Sequence, residues 1–394
     1  MMRTLLKITA LCLVVSLLLP ATAACASAES LPMQSFAFTD YRDQLDDNGR
    51  ALYDGMGTFD PDTLTVTVDL PNPVFTVSDG DAEDYLESQM EGLLLQAFHA
   101  SAMDDPMSFW TWGVSMANSD AGSPGVSVSY STVTVTGQGA TLKGVTSVTL
   151  ASVVDPAYAD DPSTEENELR EKIEALLAAV EGFSTEETSV RGIVGAVNKY
   201  IYDTVSYDPY YGDPEKASPY NHDAYGALVS PDHYAVCSGF SAAFQLLCEK
   251  YGVDVVSVVG KSSLTGDIDY HQWNYVRMDD GRWYGVDTTW EDSTGEGSFL
   301  LVGYRTEVVI QVKDNVTTYS YFYSTHSPGV VVADADPPYM DTPFGFTYPT
   351  ISEQRYDTYP VPAWYEEYLP WVLAALMLVI LGYAVVSMYR NGHA

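Results

Sequence analysis

Three residues in the second half of the chain have the types needed for nucleophilic chemistry: Cys237, His271 and Asp287. A thiolate attacks a carbonyl carbon, an imidazole takes up and returns the proton, and a carboxylate fixes the imidazole tautomer. Cys237-Ser238-Gly239-Phe240 opens a predicted helix whose apolar face is Phe240, Phe244, Leu247 and Tyr251, with Gly252 as its stop. A Cys in the first turn sits at the positive end of the helix dipole, which favours thiolate. Ser238 and Gly239 leave room beside the sulfur for substrate. Cys248 lies on nearly the same face but roughly 16 Å further along the axis. Disulfide partners need Cα atoms within about 7 Å, so Cys248 reads as a core residue.

His271 falls in the strand-like run Ile268 to Met278, and Asp287 in the strand-like run Trp283 to Trp290. Asp279-Asp280-Gly281 between them fits a three-residue hairpin loop with Gly in the left-handed position. Pairing Met278 with Arg282 sets His271 opposite Thr289 and Asp287 opposite Trp273. His271 and Asp287 are then diagonal neighbours on one face, within reach of a hydrogen bond. A loop one residue longer or shorter would put them on opposite faces.

The elements that must carry this hairpin and helix read as an α+β chain. Residues 29–58 are expected to form a short helical segment. Residues 59–155 read as a small α+β domain. Its strands are marked by the alternating Leu64, Val66, Val68 and Leu70, by Val126 to Val135 and by Val145 to Leu150. Its helix is marked by Ala82, Leu86, Met90, Leu93, Leu94, Ala97 and Phe98, ending before Pro106. Gly137, Gly139 and Gly144 punctuate the strand connection, and His99 reads as a surface or packing residue. After a polar linker with Pro156 and Pro162, two helices start at Ser163-Glu166 and Ser184-Glu187 capping boxes. The second runs to about Tyr202, and a Tyr-, Pro- and Asp-rich loop covers Tyr207 to Tyr220.

Met1 to Ala28 reads as a secretory signal, with Arg3 and Lys7 before an apolar stretch and small residues after it. Lipidation at Cys25 is the alternative, although Thr22-Ala23-Ala24 lacks the usual Leu three positions before the Cys. Tyr368 to Tyr389 is uncharged and long enough to cross a bilayer, giving a juxtamembrane linker at 358–370, a transmembrane helix at 371–389 and a cytoplasmic tail at 390–394. The expected location is the cell membrane, with the bulk of the chain extracellular.

The chain has 394 residues, with 54 acidic and 18 basic residues and a net charge of -36. That balance argues against nucleic acid as a partner, because phosphates need Lys and Arg. Four cysteines argue against a disulfide scaffold. No EF-hand pattern is present; the acidic stretches Asp79-Gly80-Asp81 and Asp208 to Glu215 are loop-like, and no metal or cofactor is expected.

The motifs around the three residues resemble those of the transglutaminase-like superfamily. Ala235-Val236-Cys237-Ser238-Gly239-Phe240-Ser241 is similar to the nucleophile motif and His271-Gln272-Trp273-Asn274 to the base motif. The run Trp283 to Asp292 is similar to the acid strand. Weaker matches, such as Tyr207-Asp208 and Ala224 to Leu228, extend the likeness over about residues 163 to 357. The resemblance implies a papain-like core at 163–357, with the nucleophile on a helix N-terminus packed on an antiparallel sheet. It implies Cys237 as nucleophile, His271 as base then acid, and Asp287 as orienter. The reaction on peptide or protein substrates would run through a thioester acyl-enzyme. Water then gives hydrolysis, slightly favoured, and an amine gives cross-linking; a catalytically silent binding module is the alternative. One oxyanion donor is the Cys237 N–H, and Tyr225 and Tyr234 are candidates for a side-chain contribution. Trp273 and Trp290 either wall the pocket or fill a Trp-rich core.

Overall fold

The computed structural model describes residues 40–111, 126–137, 140–152, 154, 157–158, 165–263, 269–313, 316–329 and 346–356. Among these residues no helix is long and apolar enough to cross a membrane. The expected signal, Cys25, Ser163 cap, juxtamembrane linker, transmembrane helix and tail lie outside the described residues.

Helices and antiparallel strands together make an α+β chain. Helices α1 (Tyr41–Gln44) and α2 (Asp47–Met56) precede strand β1 (Thr65–Val77), helix α3 (Ala82–Asp104) and a 3-10 stretch at Pro106–Thr111. Strands β2 (Val126–Gly137) and β3 (Ala140–Ser152) complete a three-stranded antiparallel sheet in the order β1-β3-β2. Apolar residues of this sheet (Val68, Leu70, Val145, Val148, Leu150) pack against Leu52 and Met56 of α2 and Leu86, Met90, Leu94 and Phe98 of α3. Gly144, expected in the connection, lies inside β3, paired with Phe75 and Val133. His99 is buried in α3, and burial lowers its pKa to about 4.

The second half begins with α4 (Glu165–Gly182) and α5 (Val190–Thr204), followed by β4 (Ser206–Tyr207), α6 (Ala224–Leu228), β5 (Tyr234–Ala235) and α7 (Cys237–Glu249). The expected Ser184 cap is corrected: Ser189 caps α5, its hydroxyl accepting the Gly192 N–H at 3.0 Å. The Lys250 ammonium donates to the carbonyls of Val180 and Glu181, and the Tyr251 hydroxyl accepts the Thr185 N–H. These tertiary bonds cap the end of α4 and hold Thr185 outside the following helix.

Strands β6 (Val255–Ser262), β7 (Asp269–Arg277) and β8 (Trp283–Val286) follow, then α8 (Thr288–Thr294), β9 (Glu307–Lys313), β10 (Val316–Tyr321), α9 (Phe322–Thr325) and β11 (His326–Pro328). The main sheet is antiparallel in the order β11-β6-β7-β8. Phe240, Phe244 and Leu247 of α7 are wholly buried against this half's core, as the apolar face of that helix requires.

A buried polar network joins α7 to the sheet. Ser241 Oγ donates to the Trp273 carbonyl at 3.2 Å, and Asn274 Nδ2 donates to the Ser241 carbonyl at 3.2 Å. Ser257 Oγ donates to Gln245 Oε1 at 2.9 Å, and Gln245 Nε2 donates to the Met103 carbonyl of α3 at 3.1 Å. Each such bond contributes roughly 1 kcal/mol, and an unpaired member would cost more. The network therefore fixes the register of α7 on β6 and β7.

Candidate active site

The β7–β8 hairpin has the register that its loop dictates. Arg277 pairs with Trp283 and Asn274 with Val286, and Met278 N–H donates to the Arg282 carbonyl at 2.9 Å. Gly281 takes φ 77°, a conformation that costs residues with a Cβ and leaves glycine free. The expected strand to Trp290 is shorter than predicted. β8 stops at Val286, and Asp287 becomes the N-cap of α8, its Oδ1 accepting the Trp290 N–H at 3.1 Å. Thr289 is consequently helical and does not pair with His271. An Asp placed where a strand meets a helix competes well for the free first-turn donors.

His271 and Asp287 nonetheless meet. His271 Nε2 lies 2.6 Å from Asp287 Oδ2, with both side chains buried. Cys237 is near enough to the imidazole to act on its protonation. Burial by itself would lower the His271 pKa. The charge and hydrogen bond of Asp287, with Cys237 on the other side, outweigh that and raise it to about 10. Burial would likewise raise the Asp287 pKa, but His271 and His326 hold it well below the usual carboxylate range.

Cys237 is the first residue of α7 and is half-buried. Its N–H is among the first-turn donors that the helix leaves unpaired. The preceding chain is fixed on both sides. Val236 N–H donates to the Asn221 carbonyl at 2.7 Å, and Asp208 N–H donates to the Ala235 carbonyl at 3.0 Å. The Asp208 carboxylate is buried and accepts from the Tyr210 N–H, the Ser218 N–H and Asn221 Nδ2 at 2.8, 2.8 and 2.7 Å. Gly239 allows this close approach: a Cβ there would lie 2.7 Å from the Asn221 carbonyl oxygen. Cys248, at the far end of α7, is wholly buried, and burial pushes its thiol pKa well up.

The remaining candidates are dispersed around this centre. Trp273 and Trp290 are buried and stack on the His271 ring, with centroids at 5.8 and 5.4 Å. They flank the imidazole and belong to the core at once. Ser238 is half-buried, with Oγ 3.4 Å from His222 Nδ1, and His222 meets the ring of the exposed Tyr211 edge-on. Tyr225 packs in an aromatic cluster with Phe109, Tyr158 and Tyr220. Tyr234 lies on β5, paired with Ser206.

Residues that the sequence did not point to also enter the site. His326 Nε2 lies 2.9 Å from the same Asp287 Oδ2 that His271 meets. It follows Asp287 by 39 residues, with no spacing motif to mark it. Asp208 stands in the sequence as part of a loop-like acidic stretch and of the weak Tyr207-Asp208 match, with no site role attached. Glu291 is wholly buried and accepts from Asn198 Nδ2 and from the Gly297 and Phe299 N–H groups at 2.7, 2.9 and 3.0 Å, which ties α8 to the loop that follows it. The nitrogens and oxygen of His271, Asp287 and His326 are close enough together to suggest a metal cluster. Both His Nε2 atoms, however, are engaged with one carboxylate oxygen at hydrogen-bond distance. The trio forms a hydrogen-bonded chain.

Residues 177–288 match the model of the Transglutaminase-like superfamily, a span that contains Cys237, His271 and Asp287. Over 78 residues the chain is 35% identical to Kyphoscoliosis peptidase of Mus musculus, covering 16% of this chain and 12% of that protein. The match thus spans about one eighth of the curated relative's length. Among solved structures, the chain is similar to a TGase at 18% identity and TM-score 0.26, over 43% of this chain and 46% of the other. It is also similar to a candidate cysteine protease from Cytophaga hutchinsonii at 14% identity and TM-score 0.23, over 42% and 64% of the two chains.

Proposed function

We propose that the transglutaminase-like domain containing residues 177–288 is a thiol enzyme that acts on amide bonds of peptides or proteins at the cell surface. The observation that carries this reading is the placement of Cys237 on a helix N-terminus beside a His271 imidazole paired with buried Asp287. The Cys237 sulfur attacks the amide carbonyl, and the Cys237 N–H and helix dipole stabilise the developing oxyanion. His271 returns a proton to the leaving amine as the C–N bond breaks, leaving a thioester. Water, activated by His271, then attacks the thioester and regenerates the thiol. An amine in place of water gives transamidation. Hydrolysis is favoured, since an amine must outcompete water, although the acidic surface would attract lysine-bearing acceptors.

The sequence supports the location. A signal at Met1 to Ala28 would export the chain, and a transmembrane helix at 371–389 would retain it at the membrane. The test is to incubate the full chain and Cys237→Ala with a quenched peptide library, and separately with a glutamine-rich protein plus a fluorescent primary amine. Cleavage, deamidation or amine incorporation that depends on Cys237 is the expected result. Identical traces for both chains would overturn the reading.

A further inference from the structure

We infer that His326 is a positioning residue for the proposed reaction, donating through Nε2 to Asp287 and so fixing the carboxylate that orients His271. The inference rests on the proposed thiol chemistry and adds a fourth side chain to it. The geometry determines the proton positions. Asp287 Oδ2 is an acceptor, so His326 Nε2, at 2.9 Å, carries the hydrogen. In a neutral imidazole Nδ1 is then the acceptor, and Thr325 Oγ1 lies 2.9 Å from it. The same hydroxyl is also placed to donate to the Phe322 carbonyl at 3.0 Å, an acceptor that already takes the His326 backbone N–H. Asp287 thus sets the tautomer, and the Thr325 hydroxyl is the group within reach of the accepting Nδ1.

The surroundings keep this imidazole neutral. Its ring stacks on Phe322 at 4.2 Å and packs against Trp290 at 4.5 Å and Trp273 at 5.0 Å. The titratable groups that face it are Asp287 and His271. Burial lowers its pKa to about 4, with Asp287 opposing and His271 reinforcing the shift. Asp287 thus accepts from His271, His326 and the Trp290 N–H, the last of these on Oδ1. Of the three donors, His326 alone comes from β11, the edge strand that pairs with β6. Removing it leaves Oδ2 with His271 only, and the rest of the carboxylate held by the single Trp290 N–H on Oδ1. The imidazolium is then less well stabilised, and Cys237 labels more slowly at acid pH.

The test is the alkylation rate of Cys237 in the full chain from pH 5 to 9, followed by peptide mass spectrometry. The parent is compared with His326→Phe, which keeps a ring, His326→Gln, which returns an N–H near the Nε2 position, and Thr325→Val. Expected for His326→Phe is an acid limb displaced upward by about one pH unit, which is about tenfold slower labelling at pH 6. His326→Gln restores the limb to within a few tenths of a unit, and Thr325→Val moves it part of the way. A purely structural role would lower melting temperatures without moving the limb. A reactive Cys237 whose limb stays put in both His326→Phe and Thr325→Val overturns this inference alone. If His326→Phe does not fold, an unmoved limb in Thr325→Val does the same. A parent chain with inert Cys237 removes the proposed function and this inference with it.

Discussion

His271 meets Asp287 through Nε2 and Oδ2 at 2.6 Å, with the two side chains 5% and 0% exposed. In so dry a place a carboxylate is stable only because its donors are fixed. Asp287→Asn puts an amide N–H where one oxygen accepted, either against Trp290 N–H or against a histidine. Turnover on any substrate found is expected to fall on the order of 10³–10⁴-fold, with the fold retained. Steady-state kinetics together with a thermal melt check this. A loss below about tenfold would remove the orienting role from Asp287.

Asp208 acts at a distance from the thiol. It holds Asn221, whose carbonyl takes the N–H of Val236, the residue before Cys237. Asp208→Ala leaves two half-buried backbone donors and the buried Asn221 amide without this carboxylate, at a cost of about 2–3 kcal/mol. Chemical denaturation is expected to show that loss, and Cys237 labelling at pH 6 is expected to slow. Unchanged stability would mean that water replaces the carboxylate.

The buried histidines set the acid side of the stability profile. His99 and His326 each fall to about 4 in the folded chain, below the unfolded value of about 6.5. Their contribution is complete above pH ~6.5 and is lost as pH falls through ~4, on the order of 3 kcal/mol each. His271, raised to about 10, acts in the opposite sense. Its contribution is complete below pH ~6.5 and is lost as pH rises through ~10. Melting curves of the parent and His99→Met from pH 4 to 8 test the acid side. The variant is expected to gain on the parent as pH falls, and parallel curves would contradict it.

The hairpin was legible because a three-residue loop with Gly281 leaves one register, and that register alone puts His271 and Asp287 on one face. The helix of Cys237 was legible for a similar reason, since Phe240, Phe244 and Leu247 repeat at helical spacing. Local patterns failed where a tertiary contact decided the outcome. Ser184 and Glu187 have the spacing of a cap, yet the Tyr251 hydroxyl takes the Thr185 N–H outside the helix and Ser189 caps it. The strand through Asp287 was read too long, because a carboxylate that caps one helix and holds two histidines has no signature in alternation. His326 arrives through β11, a three-residue edge strand whose pairing with β6 no periodicity announces.

The most direct measurement is the rate at which iodoacetamide labels Cys237 and Cys248 in the folded chain at pH 6 and pH 8, resolved by peptide mass spectrometry, with His271→Ala alongside. Rapid labelling of Cys237 at pH 6, slowed at least tenfold by His271→Ala and absent at wholly buried Cys248, is the expected result. A Cys237 as inert as Cys248 at both pH values would contradict the thiol chemistry proposed for this site.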